Sequence, residues 1–222
     1  MSFHNRKDLK MFIRKKTLES RAFSESNLTV PEMKLLCAQL TRTISLRNGI
    51  NVLSHKLYTP VSSCRVDQIF VDFYTEYRQY PFYKKCISKE CFYKVDLQKD
   101  GVLTFPWHKD RLVYFMKITH ETNFNWKYDN LNHKIICIKP FDIYIVIGGN
   151  HSIFCGMFIT GGYLPCTEEI DYSPILRELI LTPKGFKTVE GNQFVKKSFF
   201  MKQNPETEDI FLLGKELIKN NK

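Results

Sequence analysis

The sequence predicts an α+β fold, a mixed sheet with helices packed on it and helical additions at its N- and C-terminal ends. Three observations predict it. Thr29-Val30-Pro31-Glu32 has the form of a capping box ahead of an apolar, helix-spaced stretch. Ile135 to Ile138 and Ile143 to Ile147 are short β-branched runs split by Lys139-Pro140-Phe141-Asp142, which reads as an antiparallel hairpin. Thr207 to Lys219 opens behind Glu206 with Glu208 and Asp209 and closes with Lys215 and Lys219, the charge order a helix macrodipole favours. With 222 residues, 43% of them hydrophobic, the chain can bury one core without disulfide or metal staples.

The elements follow in order. Residues 1 to 28 carry Arg6, Lys7, Lys10, Arg14, Lys15, Lys16 and Arg21 around Leu9, Phe12, Ile13 and Leu18, a spacing that allows a helix with a basic polar face. Such a face suits a phosphate backbone and equally an ordinary solvated helix. The helix opened at Thr29 presents Leu36, Leu40 and Ile44, flanked by Leu35 and Cys37, and Asn48-Gly49 supplies a left-handed stop. Residues 50 to 60 are expected in a turn, because Pro60 disfavours helix at Thr59. Val61 to Phe73 reads as one strand or a strand entering a turn.

Tyr74 to Tyr93 interleaves aromatics with Arg78, Lys84, Lys85, Lys89 and Lys94 nearby, a pattern that stacks bases or forms a core edge with snorkelling lysines. Asp100-Gly101 signals a turn before an extended Val102 to Phe105. Leu112 to Ile118 is apolar enough for a buried strand or a helix, and periodicity alone does not decide. Thr119 to Asn132 is a polar loop ending at His133. Gly148-Gly149 breaks the second hairpin strand, Ser152 to Thr160 is expected helical, and Gly161-Gly162 closes it. Ser173-Pro174 starts a short helix through Leu181, and Pro183 to Phe200 alternates around Gly191-Asn192 as a hairpin.

A net charge of +10 favours an acidic partner: nucleic acid, nucleotide phosphates or an acidic protein surface. A lysine-rich composition explains the same charge. The seven cysteines are odd in number and scattered, which suits reduced thiols in a cytoplasmic protein better than a disulfide framework. Cys86 and Cys91 lack a second pair or a nearby His, so no zinc set is expected. Arg14, Lys15 and Lys16 break any signal-peptide core, and Ile143 to Ile147, the longest apolar run, is too short for a bilayer.

The candidate site is the turn Gly148-Gly149-Asn150-His151-Ser152. The glycines permit positive φ and close backbone approach, and the following helix start offers free N–H groups to an anion. Asn150 and His151 add donors, and His151 is a candidate to titrate near neutral pH. Asp129, Asn132 and His133, just upstream, would form a second wall. If the site is catalytic, His151, His133 and Asp129 are the acid/base candidates, while Gly148, Gly149, Asn150, Ser152 and Asn132 bind the ligand.

The order of apolar strand, Gly-Asn-His-Ser at 149 to 152, small-residue helix with Gly156 and then Leu164-Pro165 resembles the core of the ParB N-terminal and sulfiredoxin-like superfamily. Thr59-Pro60-Val61-Ser62 to Ile69 resembles its opening strand. Asp129-Asn130-x-Asn132-His133 ahead of Gly-Asn-His-Ser is similar to a family of uncharacterised bacterial proteins. The resemblance implies a core over 59–200 with an insertion at about 74–130, an N-terminal helical segment with a basic arm over 1–58, and a C-terminal helix over 201–222. It further implies a nucleotide, with Mg²⁺, as the ligand, and a nucleotide hydrolase, phosphotransferase or nuclease as the type of enzyme. Ser152 departs from the Arg of better-known members, and no cysteine stands in the glycine-containing setting that sulfiredoxin chemistry uses. The competing expectation is a non-catalytic module of a mobile element or defence system that binds nucleic acid or an acidic protein.

Overall fold

The computed structural model of the chain describes residues 28–54, 69–70, 86–121, 125–190 and 194–220. The basic segment up to residue 27, most of the strand expected over 61 to 73 and the aromatic, lysine-rich stretch up to residue 85 lie outside the described residues.

Helix α1 spans Val30–Leu53. Its start is the expected capping box: Thr29 N–H donates to the Glu32 carboxylate at 2.7 Å, and Glu32 N–H donates back to Thr29 Oγ1 at 3.4 Å. Its end differs from expectation. The helix runs through Asn48-Gly49 and four residues further, because Gly49 is a packing contact and not a cap: a Cβ there would lie 2.2 Å from the Phe154 ring. The helix therefore takes the first four residues of the turn expected over 50 to 60, of which residues 55 to 60 lie outside the described residues. Cys37, Leu40 and Ile44 of the expected face are buried and Leu36 packs partly buried against the core, while Leu35 is 57% exposed; Met33 joins the buried stripe, which continues through Thr41, Ser45 and Asn48. Those polar members are satisfied. Ser45 Oγ donates to Val102 O at 2.9 Å and accepts from Thr104 N–H at 3.0 Å, which fastens the helix to a sheet edge.

The strands β1 (Ser88–Asp96), β2 (Gly101–Leu103), β3 (Lys134–Lys139), β4 (Ile143–Gly148) and β5 (Tyr163–Asp171) form one mixed sheet in the order β1-β5-β3-β4-β2. The β3–β4 hairpin at its centre is antiparallel, as expected, while β5 joins β3 and β2 joins β4 in parallel. Alternation along the hairpin explains its unbroken hydrophobicity. Ile136, Ile138, Ile143 and Ile145 enter a core shared with α1 and the C-terminal helix, whereas Ile135, Cys137, Tyr144 and Val146 enter a second core on the opposite face. A strand buried on both sides has no polar register to show.

Helix α2 (Lys109–Glu121) settles the ambiguity of Leu112 to Ile118 in favour of a helix. Helix α3 (Asn150–Cys155) follows β4 after one residue and winds on as a π-helical turn over Gly156–Thr160. The helix expected from Ser152 thus begins two residues earlier. Helix α4 (Ser173–Glu178) stops short of Leu181, and its expected tail is instead β6 (Leu179–Thr182), paired with β7 (Gly185–Thr188) in a small antiparallel sheet completed by β8 (Phe194–Val195). A short helix α5 (Phe199–Gln203) leads into α6 (Glu206–Asn220), the expected terminal helix. Its Phe211, Leu213 and Leu217 join the first core, and the nearly buried Glu206 is held by the Arg47 guanidinium of α1.

The end of the sheet where β3 closes is locked by ion pairs. Glu169, 3% exposed, accepts from Tyr93 Oη at 2.5 Å and pairs with Lys89 at 2.7 Å, while Asp142 sits between Lys34 at 2.6 Å and Lys139 at 2.5 Å. The opposite end, where β4 runs into α3, is open.

Candidate functional site

At that open end a cleft of about 750 Å³ is lined by Asp129, Asn132, His133, Gly148, Gly149, Asn150, His151 and Ser152. These are the eight residues singled out from the sequence. Trp107, Arg111, Tyr114, Phe115, Lys127 and Ile147 complete the lining.

The glycine pair shapes the floor. Gly149 caps α3 in the left-handed region, φ 79° and ψ 24°, which a residue with a Cβ rarely adopts. Its neighbourhood also corrects the role expected for the pair. A Cβ on Gly149 would meet His133 Cδ2 at 2.4 Å, and one on Gly148 would meet the Asn132 carbonyl at 2.6 Å. The space freed by the missing side chains is filled by the 129–133 turn and not by room for a ligand. The two segments expected to be opposite walls are one packed unit.

That turn is built by Asp129. Its carboxylate accepts from the Leu131 N–H at 2.9 Å and from the Asn132 side-chain amide, and the amide and backbone bonds hold its pKa below the ordinary carboxylate value. The Asp129 N–H donates to His133 Nδ1 at 3.0 Å. A ring nitrogen that accepts carries no hydrogen, so neutral His133 holds its proton on Nε2. Nε2 lies 3.1 Å from Ser152 Oγ. His133 therefore donates to Ser152 and does not stand as its base. The ring is stacked on Trp126, centroids 4.8 Å apart, and burial lowers its pKa despite the Asp129 charge.

His151 is fixed in the reverse tautomer. Its Nε2 accepts from the backbone N–H groups of His108 at 3.0 Å and Trp107 at 3.3 Å, which puts the proton on Nδ1. Burial, reinforced by the charges of Arg111 and His108, pushes its pKa down to about 4. This overturns the expectation of titration near neutrality: the imidazole is a neutral acceptor for the turn that launches α2. Asn150 works alike, its Oδ1 accepting from Phe105 N–H at 2.7 Å. Both side chains tie the start of α3 to the segment between β2 and α2.

Positive charge comes from two residues that no sequence pattern marks. Arg111 stands on the first turn of α2, with its guanidinium 5.8 Å from the Trp107 ring centroid, and Lys127 comes from the loop before β3. Among the described residues no carboxylate pairs with either cation. Arg111 of α2 lines the same cleft as Ser152. Trp107 and Tyr114, 51% and 60% exposed, give the cleft an aromatic side. No group of three or more His, Cys, Asp or Glu gathers as a metal site among the described residues, and none of their helices is long and apolar enough to cross a membrane.

Fold and site together define an α+β protein whose central hairpin runs into a polar, cation-bearing cleft. Residues 13–222 match a family of unknown function, DUF6710, and the chain belongs to that family. No curated protein and no solved structure matches it.

Proposed function

We propose that the cleft binds a phosphate-bearing ligand, a nucleotide or a nucleic-acid segment, at the Gly149 to Ser152 turn. The observation that carries this reading is the convergence of Arg111 and Lys127, neither neutralised by a carboxylate among the described residues, with the start of α3 on one cleft. Cations left unpaired beside a helix start attract an anion, and they need one more than any neutral ligand does. The exposed faces of Trp107 and Tyr114 suit a planar base attached to that phosphate. The strand, glycine turn and helix also support a ParB/sulfiredoxin-like reading of this segment, with Arg111 supplying the charge absent at Ser152. Mg²⁺, if used, arrives with the phosphates, because Asp129 already spends its carboxylate on its own turn.

Binding is favoured over phosphoryl transfer or phosphodiester hydrolysis. His151 and His133 each accept a backbone N–H with the nitrogen that a general base needs free. The test is a thermal-shift screen of nucleotides and short oligonucleotides, with and without Mg²⁺, on wild type, Arg111→Ala and Lys127→Ala. A ligand at a hundred times its Kd stabilises by about 2.7 kcal/mol, roughly 5 to 10 °C for a chain of this size. Loss of that shift in both variants is the expected result. No shift with any probe, or an equal shift in the variants, refutes the reading.

A further inference from the structure

The hydroxyl of Ser152 has an unusual set of partners. Oγ lies 3.1 Å from His133 Nε2, which bears a hydrogen because Nδ1 is taken by the Asp129 N–H. It also lies 3.1 Å from Trp126 Nε1, an atom that can only donate, and which is shared with the Ser152 carbonyl at 3.0 Å. A serine oxygen has two acceptor positions, and both are filled. The hydroxyl hydrogen has no acceptor among the described residues, and Ser152 lines the cleft.

We propose that Ser152 is a locked hydrogen-bond donor that reads an unprotonated oxygen of the bound anion, and that His133 and Trp126 are the positioning residues that lock it. This deepens the phosphate-bearing ligand reading and rests on it. An ordinary serine rotates between donating and accepting, so it tolerates either kind of ligand atom. Here two donors arrive from the protein side, and only the outward O–H is left to meet the ligand. A ligand oxygen carrying negative charge completes the set, whereas an ammonium or amide N–H at that point would face a hydroxyl with no lone pair to offer. The chemical class selected is therefore an oxyanion with an ionised oxygen at this position, as the non-bridging oxygens of a phosphodiester or a pyrophosphate are. The arrangement also accounts for the absence of an arginine at 152. A locked neutral donor discriminates by hydrogen-bond direction, while the charge is supplied by Arg111 and Lys127.

The test uses inorganic pyrophosphate as the probe, with Kd measured by calorimetry at constant ionic strength on wild type, Ser152→Ala, His133→Gln, His133→Phe and Arg111→Ala. Ser152→Ala removes only Oγ and leaves Trp126 bonded to the backbone carbonyl, so the turn stays assembled. It should weaken binding about tenfold or more, the usual loss for a hydrogen bond to a charged group. His133→Gln offers an acceptor for the Asp129 N–H and a donor for Ser152, so it should retain affinity within about threefold; His133→Phe should approach Ser152→Ala. Nitrogen-15 NMR should show His133 protonated at Nε2 alone, a signature that a purely packing role would not require. Equal affinity in wild type and Ser152→Ala, with Arg111→Ala still weakened, overturns the donor lock and leaves the anion site standing. An Nδ1-protonated His133 likewise overturns it. No binding by wild type overturns both.

Discussion

The neutral state of His151 can be tested directly as a stability difference. In the folded chain its pKa lies at about 4, against 6.5 for an unperturbed imidazole. The folded value is depressed, so below pH 6.5 the unfolded chain takes up the proton more readily. The stabilisation is fully present above the unfolded pKa and drains away as pH falls through the window from about 7 to about 4. Linkage between the two values gives roughly 2.5 kcal/mol lost at about pH 4.5, and about 2 kcal/mol once residual solvent screening is allowed for. The comparison is wild type against His151→Gln, whose side-chain oxygen can still accept from the His108 and Trp107 N–H groups but does not titrate. Urea unfolding at several pH values from about 7.5 to 4.5 gives ΔG for each. Other titrating groups, including His133 and the buried carboxylates, are common to both proteins and cancel in the difference. Wild type should lose about 2 kcal/mol relative to the variant over this range. A flat difference would refute the argument that the imidazole is held neutral, and would restore His151 as a candidate acid or base near neutral pH.

Two further substitutions probe the frame of the cleft. Gly149→Ala puts a Cβ at 2.4 Å from His133 on a left-handed backbone, so it should cost about 2 kcal/mol by denaturant unfolding and also displace the 129–133 turn. Its pyrophosphate affinity should fall together with its stability. Gly49→Ala drives a methyl into the Phe154 ring, where 2.2 Å separates them before relaxation, and should destabilise by about 1 to 3 kcal/mol in spite of alanine's better helix propensity. A gain in stability there would mean that α1 and α3 do not meet at this point.

Much of the frame could be read from local chemistry. The Thr29 to Glu32 cap, the 135–147 hairpin and the acid-to-base order of the last helix are signals carried by adjacent residues, and each sits where its pattern says. What escaped the sequence was tertiary in origin. Asn48-Gly49 has the composition of a stop, yet the helix continues because the small residue is wanted by Phe154, more than a hundred positions away. Leu179 to Thr182 has helix-compatible residues and becomes a strand because β7 is beside it. The site followed the same division. Its glycine turn and the 129–133 segment were legible, while Arg111 gave no signal because its place in the cleft depends on how α2 is hung from Asn150 and His151. The tautomers of the two histidines depend on which backbone N–H groups reach them, and no spacing rule encodes that.

The placement of tryptophan gives the protein an optical property. The chain has only two, Trp107 and Trp126; the first lines the cleft, and the second lies against His133 with its indole N–H on Ser152. Excitation at the red edge of protein absorption thus reports on this one end of the sheet and on little else. A ligand that covers Trp107 or pulls on the Ser152 hydroxyl changes the emission without any label. Protonation of His133 in the stacked pair should quench it, so the site carries its own fluorophore, and its occupancy can be followed by titration in a cuvette.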